Sequence, residues 1–84
     1  MSSNADFSLG QIRERAGFTQ ERVADHIGVS VSTVRNWEHS RRLIPPADFD
    51  MIMALYGVDR YTRLRALLTI YGSREDQEAF GLTM

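Results

Sequence analysis

Residues Thr19 to His39 read TQERVADHIGVSVSTVRNWEH, two short helical patterns on either side of one glycine. Val23, Ala24 and Ile27 recur at helical spacing before Gly28, and Val34 and Trp37 lie one turn apart after it. Thr19 and Ser30 stand where a hydroxyl caps a helix start, and Gly28 supplies the left-handed residue that ends the first of the two helices. With only Gly28 and Val29 between them, the helices must cross steeply rather than lie antiparallel. Ala24, four residues before Gly28, leaves room at the crossing. Val23, Ile27, Val29, Val34 and Trp37 fill the angle, so the glycine aims the second helix of the pair outward.

The same punctuation continues on both sides, and no strand alternation competes with it. The fold class is all-α. Ser8 caps a first helix through Ala16, with Leu9, Ile12 and Ala16 on one face and Gly17 as its stop; Thr19 caps the second through Ile27, and Ser30 the third through about His39. Pro45 disfavours a helical Ile44, whereas Pro46 suits the opening of a fourth helix running to Tyr56 before Gly57. Phe49, Ile52, Leu55 and Tyr56 form its apolar stripe. Asp59 caps a fifth helix through Tyr71, and Ser73 with Asp76 offers a capping pair for a short sixth helix ending near Phe80. The expected organisation is a disordered N-terminus over residues 1–6, one domain over 7–72 and a C-terminal extension over 73–84.

Composition narrows the class. The chain has 84 residues, 43% hydrophobic and 25% charged, with no cysteine, so a small core held by helix packing or by a second subunit is expected. No stretch approaches the length of a membrane span and MSSNADFS lacks the apolar segment of a secretory signal, so an intracellular protein is expected, and the lack of cysteine fits a reducing cytoplasm. The net charge is −1, but it is unevenly spread: between Arg35 and Arg42 there are three arginines against Glu38 alone, while Leu43 to Met84 carries six acids against four arginines. All ten basic residues are arginine, which forks onto phosphate or guanine better than lysine does.

From Leu9 to Val58 the run LGQIRERAGFTQERVADHIGVSVSTVRNWEHSRRLIPP...LYGV resembles the lambda-repressor-like, Xre-type helix-turn-helix family, with Gln20, Ala24, Gly28, Val34, Trp37 and Glu38 in the family's register. The later IPPADFDMIMALYGVD is similar to actinobacterial members in which this domain precedes a larger C-terminal domain, which would make the chain part of a longer protein. The resemblance implies a compact five-helix DNA-binding domain whose third helix enters the major groove, usually as a symmetric homodimer on a palindromic operator. It also implies an ion pair between Arg13 and Glu38 tying helix one to helix three. Ser40 departs from the pattern: the family commonly has glycine two residues after the glutamate, which bears on how the chain leaves helix three.

On helix three, Val31, Ser32, Arg35, Asn36 and His39 share a face opposite Val34 and Trp37. Plain solvation is the alternative for such a face, but this one carries a valine and no acid. As a reading face, Asn36 would hold adenine in a bidentate pair, Arg35 would take guanine or phosphate, Val31 would pack on a thymine methyl, and Ser32 is small enough for backbone or base. The resemblance places Val31, Ser32 and Asn36 at the family's main base-reading positions, with Arg35 more variable. Phosphate contacts are expected from Gln20, Ser30, Arg41 and Arg42.

His26 and His39 join no metal motif, and no nucleophile, base and orienter come together, so neither metal, cofactor nor catalysis is expected. Helix five carries Tyr61, Leu64, Leu67, Leu68, Ile70 and Tyr71, more apolar surface than one edge of a small domain needs. Leu64, Leu68, Tyr71 and Phe80 are therefore candidates for a dimer interface or a missing domain, joined by Leu82 and Met84. The expected function is a sequence-specific double-stranded DNA-binding transcriptional regulator, a repressor by family habit. Two alternatives remain open: an antitoxin-like autoregulator that binds a toxin through another surface, and a protein-interaction module whose working surface is the acidic Leu43-to-Met84 half.

Overall fold

The computed structural model describes residues 7–72. Five helices follow in order: α1 Leu9–Ala16, α2 Gln20–Ile27, α3 Val31–Glu38, α4 Pro46–Tyr56 and α5 Arg60–Tyr71. No strand occurs among the described residues. The expected disorder of residues 1–6, the expected short sixth helix ending near Phe80 and the interface candidates Phe80, Leu82 and Met84 lie outside the described residues. No helix of the described residues is long and apolar enough to cross a membrane.

Short helices need their first N–H groups satisfied, and four side chains do this. The Ser8 hydroxyl accepts from the Gln11 amide at 3.2 Å, Thr19 from Arg22 at 3.1 Å and Ser30 from Thr33 at 3.1 Å, while the Asp59 carboxylate accepts from Thr62 at 2.7 Å. These hydrogen bonds from Thr62 also hold the Asp59 carboxyl below its ordinary range. α4 has no side-chain cap; Pro46, which has no N–H to satisfy, starts it instead.

The turn between α2 and α3 is held by one carbonyl. Ala24 O accepts from both Gly28 N at 2.8 Å and Val29 N at 3.0 Å, with Gly28 at φ 85°. A β-carbon at Gly28 would meet no neighbour within 4 Å, so the demand for glycine is one of backbone angle and not of space. Behind the turn, α2 packs on α3 and α4, and α1 on α3 and α4. Val23, Ala24, Val34, Trp37, Phe49, Ile52 and Met53 are buried in the resulting core with Leu9 and Ile12 of α1. Burying Phe49 or Ile52 stabilises by about 1.5–3 kcal/mol each relative to exposure.

α5 closes the domain with Ala66 in the core and Leu67, Ile70 and Tyr71 packed against it. The Tyr71 hydroxyl donates to Ile44 O at 2.5 Å, and its ring meets Phe49 edge-on at 5.6 Å. Burial, with Asp50 and Asp48 nearby, raises the pKa of this phenol. Arg63 of α5 forms an exposed ion pair with Asp50 of α4. At the other end of α5, Phe7 packs edge-on against Tyr61 at 5.9 Å, with the Arg65 guanidinium 5.0 Å from the Phe7 ring.

Candidate nucleic-acid interface

α3 divides into two sides that differ in every property. Inward, Val34 and Trp37 are buried. Outward, Ser32, Arg35 and His39 are exposed, and Asn36 is half-buried at the edge of that face. Val31 sits between the two sides: it is half-buried and packed against the core, so only part of its side chain is left for a partner. Sequence spacing places Val31 on the outer face, but helical periodicity does not register the core residues that other elements bring against it.

The single acid of α3, Glu38, is turned inward. Its carboxylate accepts from Arg13 Nε at 2.7 Å, from Arg13 Nη2 at 3.3 Å and from Gln20 Nε2 at 2.9 Å. Arg13 also donates through Nη1 to Phe18 O at 2.8 Å, which fixes the guanidinium plane on both sides. The two charged side chains are 13% and 8% exposed. The hydrogen bond that Arg13 donates to Glu38 raises the Arg13 pKa against the opposing effect of burial, and burial together with the Glu38 charge raises that of Tyr56. Gly10 belongs to the same site, since a β-carbon there would stand 3.3 Å from Glu38 Oε1. Neither Gly10 nor the reach of Gln20 to the carboxylate follows from spacing along the chain.

Gln20 therefore has a double position. One of its amide hydrogens is engaged by Glu38, and the second is left for the phosphate contact expected of it. The Ser30 hydroxyl caps α3 and lies 2.9 Å from Thr33 Oγ1, so Thr33 joins this helix start.

The exit from α3 is as closely determined as its start. Asn36 O accepts from Arg41 N at 2.9 Å, and Trp37 O accepts from Ser40 N at 3.3 Å, with Ser40 left-handed at φ 59°. These two bonds make a Schellman motif, in which the left-handed position is usually glycine. Ser40 fills it at a cost of about 1 kcal/mol. The missing glycine thus leaves the exit geometry in place and shifts the difference into backbone strain. α3 ends at Glu38 with His39 as its C-cap, within one residue of the expected end. Arg41 and Arg42 follow, both exposed.

The expected subunit-facing residues of α5 divide. Tyr61 and Leu64 are 60% and 46% exposed, whereas Leu68 is 6% exposed and Tyr71 is bonded to Ile44 O. Of the candidates Leu64, Leu68 and Tyr71, only Leu64 presents a large exposed side chain, with Tyr61 exposed beside it on the same helix.

A family model described as a helix-turn-helix domain matches residues 8–66. No curated protein and no solved structure matches the chain.

Proposed function

The chain belongs to the helix-turn-helix domain family, which points to DNA binding and a regulatory role, and from that premise we propose that it is a sequence-specific double-stranded DNA-binding transcriptional regulator. It acts in the cytoplasm as a repressor, by occupying an operator and not by chemistry. α3 lies in the major groove, where Asn36 pairs with adenine, Arg35 with guanine or phosphate, Ser32 with a base or the backbone, and the exposed part of Val31 with a thymine methyl. Gln20, Ser30, Arg41 and Arg42 hold the flanking phosphates.

The observation that carries this reading is the disposition of charge on α3. Its only acid is bound inward by Arg13 and Gln20, and the exposed side keeps Arg35 beside neutral hydrogen-bonding groups. A face meant only for solvent has no need of such sorting, whereas a carboxylate turned toward phosphates would repel them.

One module with net charge −1 releases few counterions, so its affinity alone is weak and useful binding requires pairing. Tyr61 and Leu64 on the outer face of α5 support a two-fold homodimer that sets two α3 helices about 34 Å apart on a palindrome. Selection of bound duplexes from a random pool tests both parts, because enriched sequences report half-site and spacing together. An enriched palindrome with half-sites roughly 10 bp apart is expected. A pool left random even at low salt would sink the DNA reading; a single enriched half-site, with a monomer in sedimentation, would sink the dimer alone.

A further inference from the structure

Leu43 is the most exposed large apolar side chain among the described residues, at 65%, yet it stands on a closely held loop. The loop begins with the two cap bonds at Ser40 and Arg41. It ends at Ile44, which is 1% exposed and whose carbonyl accepts the Tyr71 hydroxyl, followed by Pro45 with φ at −61°. Leu43 is held between these anchors. Its exposure is therefore imposed by the fold and does not come from a loose loop whose side chain could settle elsewhere.

What Leu43 faces is set by its neighbours. On one side it shares an open cleft with Thr33, Asn36, Trp37, Arg42 and Pro45, beside the edge of the outward face where Asn36 lies, and on the other it borders a cleft shared with Trp37, Arg41, Thr69 and Ile70. An apolar group here, between a carboxamide suited to adenine and an arginine suited to phosphate, meets little in the major groove that is apolar except the C5-methyl of thymine. Packing on that methyl removes apolar surface of both partners from water, whereas packing on a phosphate would strip water from an anion with nothing in return.

We propose that Leu43 is a specificity-determining residue, packing on the methyl group of a thymine beside the adenine held by Asn36. The proposal rests on the DNA-binding reading above. It adds the loop after α3 to the base-reading surface, and it assigns that loop one base where Arg41 and Arg42 would give it only phosphates.

The test uses the whole chain and the duplex enriched in the selection. Thymines are replaced one at a time by deoxyuridine, which removes only the methyl, and binding is compared for the wild type, Leu43→Ala and Val31→Ala. At one thymine next to the Asn36 adenine, loss of the methyl is expected to weaken wild-type binding roughly three- to tenfold, and Leu43→Ala to weaken binding of the methylated duplex by a similar factor. On the deoxyuridine duplex the same substitution is expected to cost less than about twofold, because the contact is already gone. Val31→Ala should couple to a different thymine. The salt slope should stay unchanged for Leu43→Ala and fall by about one for Arg42→Ala. An unchanged thermal midpoint for Leu43→Ala is expected from its exposure and separates binding from folding. Equal losses on methylated and unmethylated duplexes would overturn the proposal and place Leu43 against sugar or a second copy of the chain; no loss on either overturns it as well. If the selection enriches no duplex, the DNA reading and this proposal fall together, whereas an enriched duplex without methyl coupling removes the proposal alone.

Discussion

Among the described residues two ion pairs join one helix to another, and they differ in almost everything but chemistry. Arg13 and Glu38 link α1 to α3 with side chains 13% and 8% exposed, and Gln20 and Phe18 O complete their hydrogen bonding. Arg63 and Asp50 link α5 to α4 with side chains 48% and 60% exposed. Water and salt screen the second pair, so it contributes little, while the first has given up its hydration and depends on its partners. Its value lies less in net stability than in orientation: it holds the inner side of α3 at one angle to α1, and the outer side is thereby aimed.

The largest expected effect comes from breaking the inner pair. Glu38→Gln leaves the Arg13 guanidinium partly buried without its counter-charge, and a loss of about 3 kcal/mol is expected from denaturation midpoints. Adding Arg13→Met should recover part of it, since no charge is then stranded. Strictly additive losses in that double-mutant cycle would mean that the two side chains do not act together.

Asn36→Ala separates aiming from reading. It touches neither ion pair, and it should lower affinity for the cognate duplex by about 1–3 kcal/mol with little change in binding to scrambled DNA. Arg42→Ala should instead weaken all duplexes alike. If Asn36→Ala reduced cognate and scrambled binding equally, the residue would not read a base.

Ser40→Gly tests whether the exit of α3 carries strain. With φ at 59°, glycine should raise stability by roughly 0.5–1 kcal/mol, less than the full relief because it also adds freedom to the unfolded chain. A lower thermal midpoint would show that the serine side chain does something the backbone angle does not reveal. The smallest effect belongs to the exposed pair: Asp50→Asn should change stability by less than about 0.5 kcal/mol, and less still in high salt. A loss as large as that of Glu38→Gln would erase the contrast between the two pairs.

Much of this was legible in the chain because the signals are local. The caps at Ser8, Thr19, Ser30 and Asp59, the Pro46 start and the glycine stops act within four residues, so they appear in the sequence as they do in space. The meeting of Arg13 with Glu38 is of another kind, since 25 residues separate them and resemblance to a family, not spacing, suggested it. The outward face of α3 was legible from helical periodicity, except for Val31, whose burial depends on the neighbouring helix.

Five helices, their ends to within about a residue and the glycine turn between α2 and α3 could be read along the chain, because hydrogen bonding to a side chain or to a left-handed residue is decided by near neighbours. Packing between distant elements was needed to bring Gln20 and Arg13 onto Glu38, to set Gly10 against its carboxylate, to pin the loop at Ile44 through Tyr71 and to cover Leu68 but not Leu43. An amphipathic pattern states that a side chain is apolar, but its burial depends on what distant residues bring against it. On α5 apolar residues lie all round the helix, and periodicity there had nothing with which to choose between core and surface.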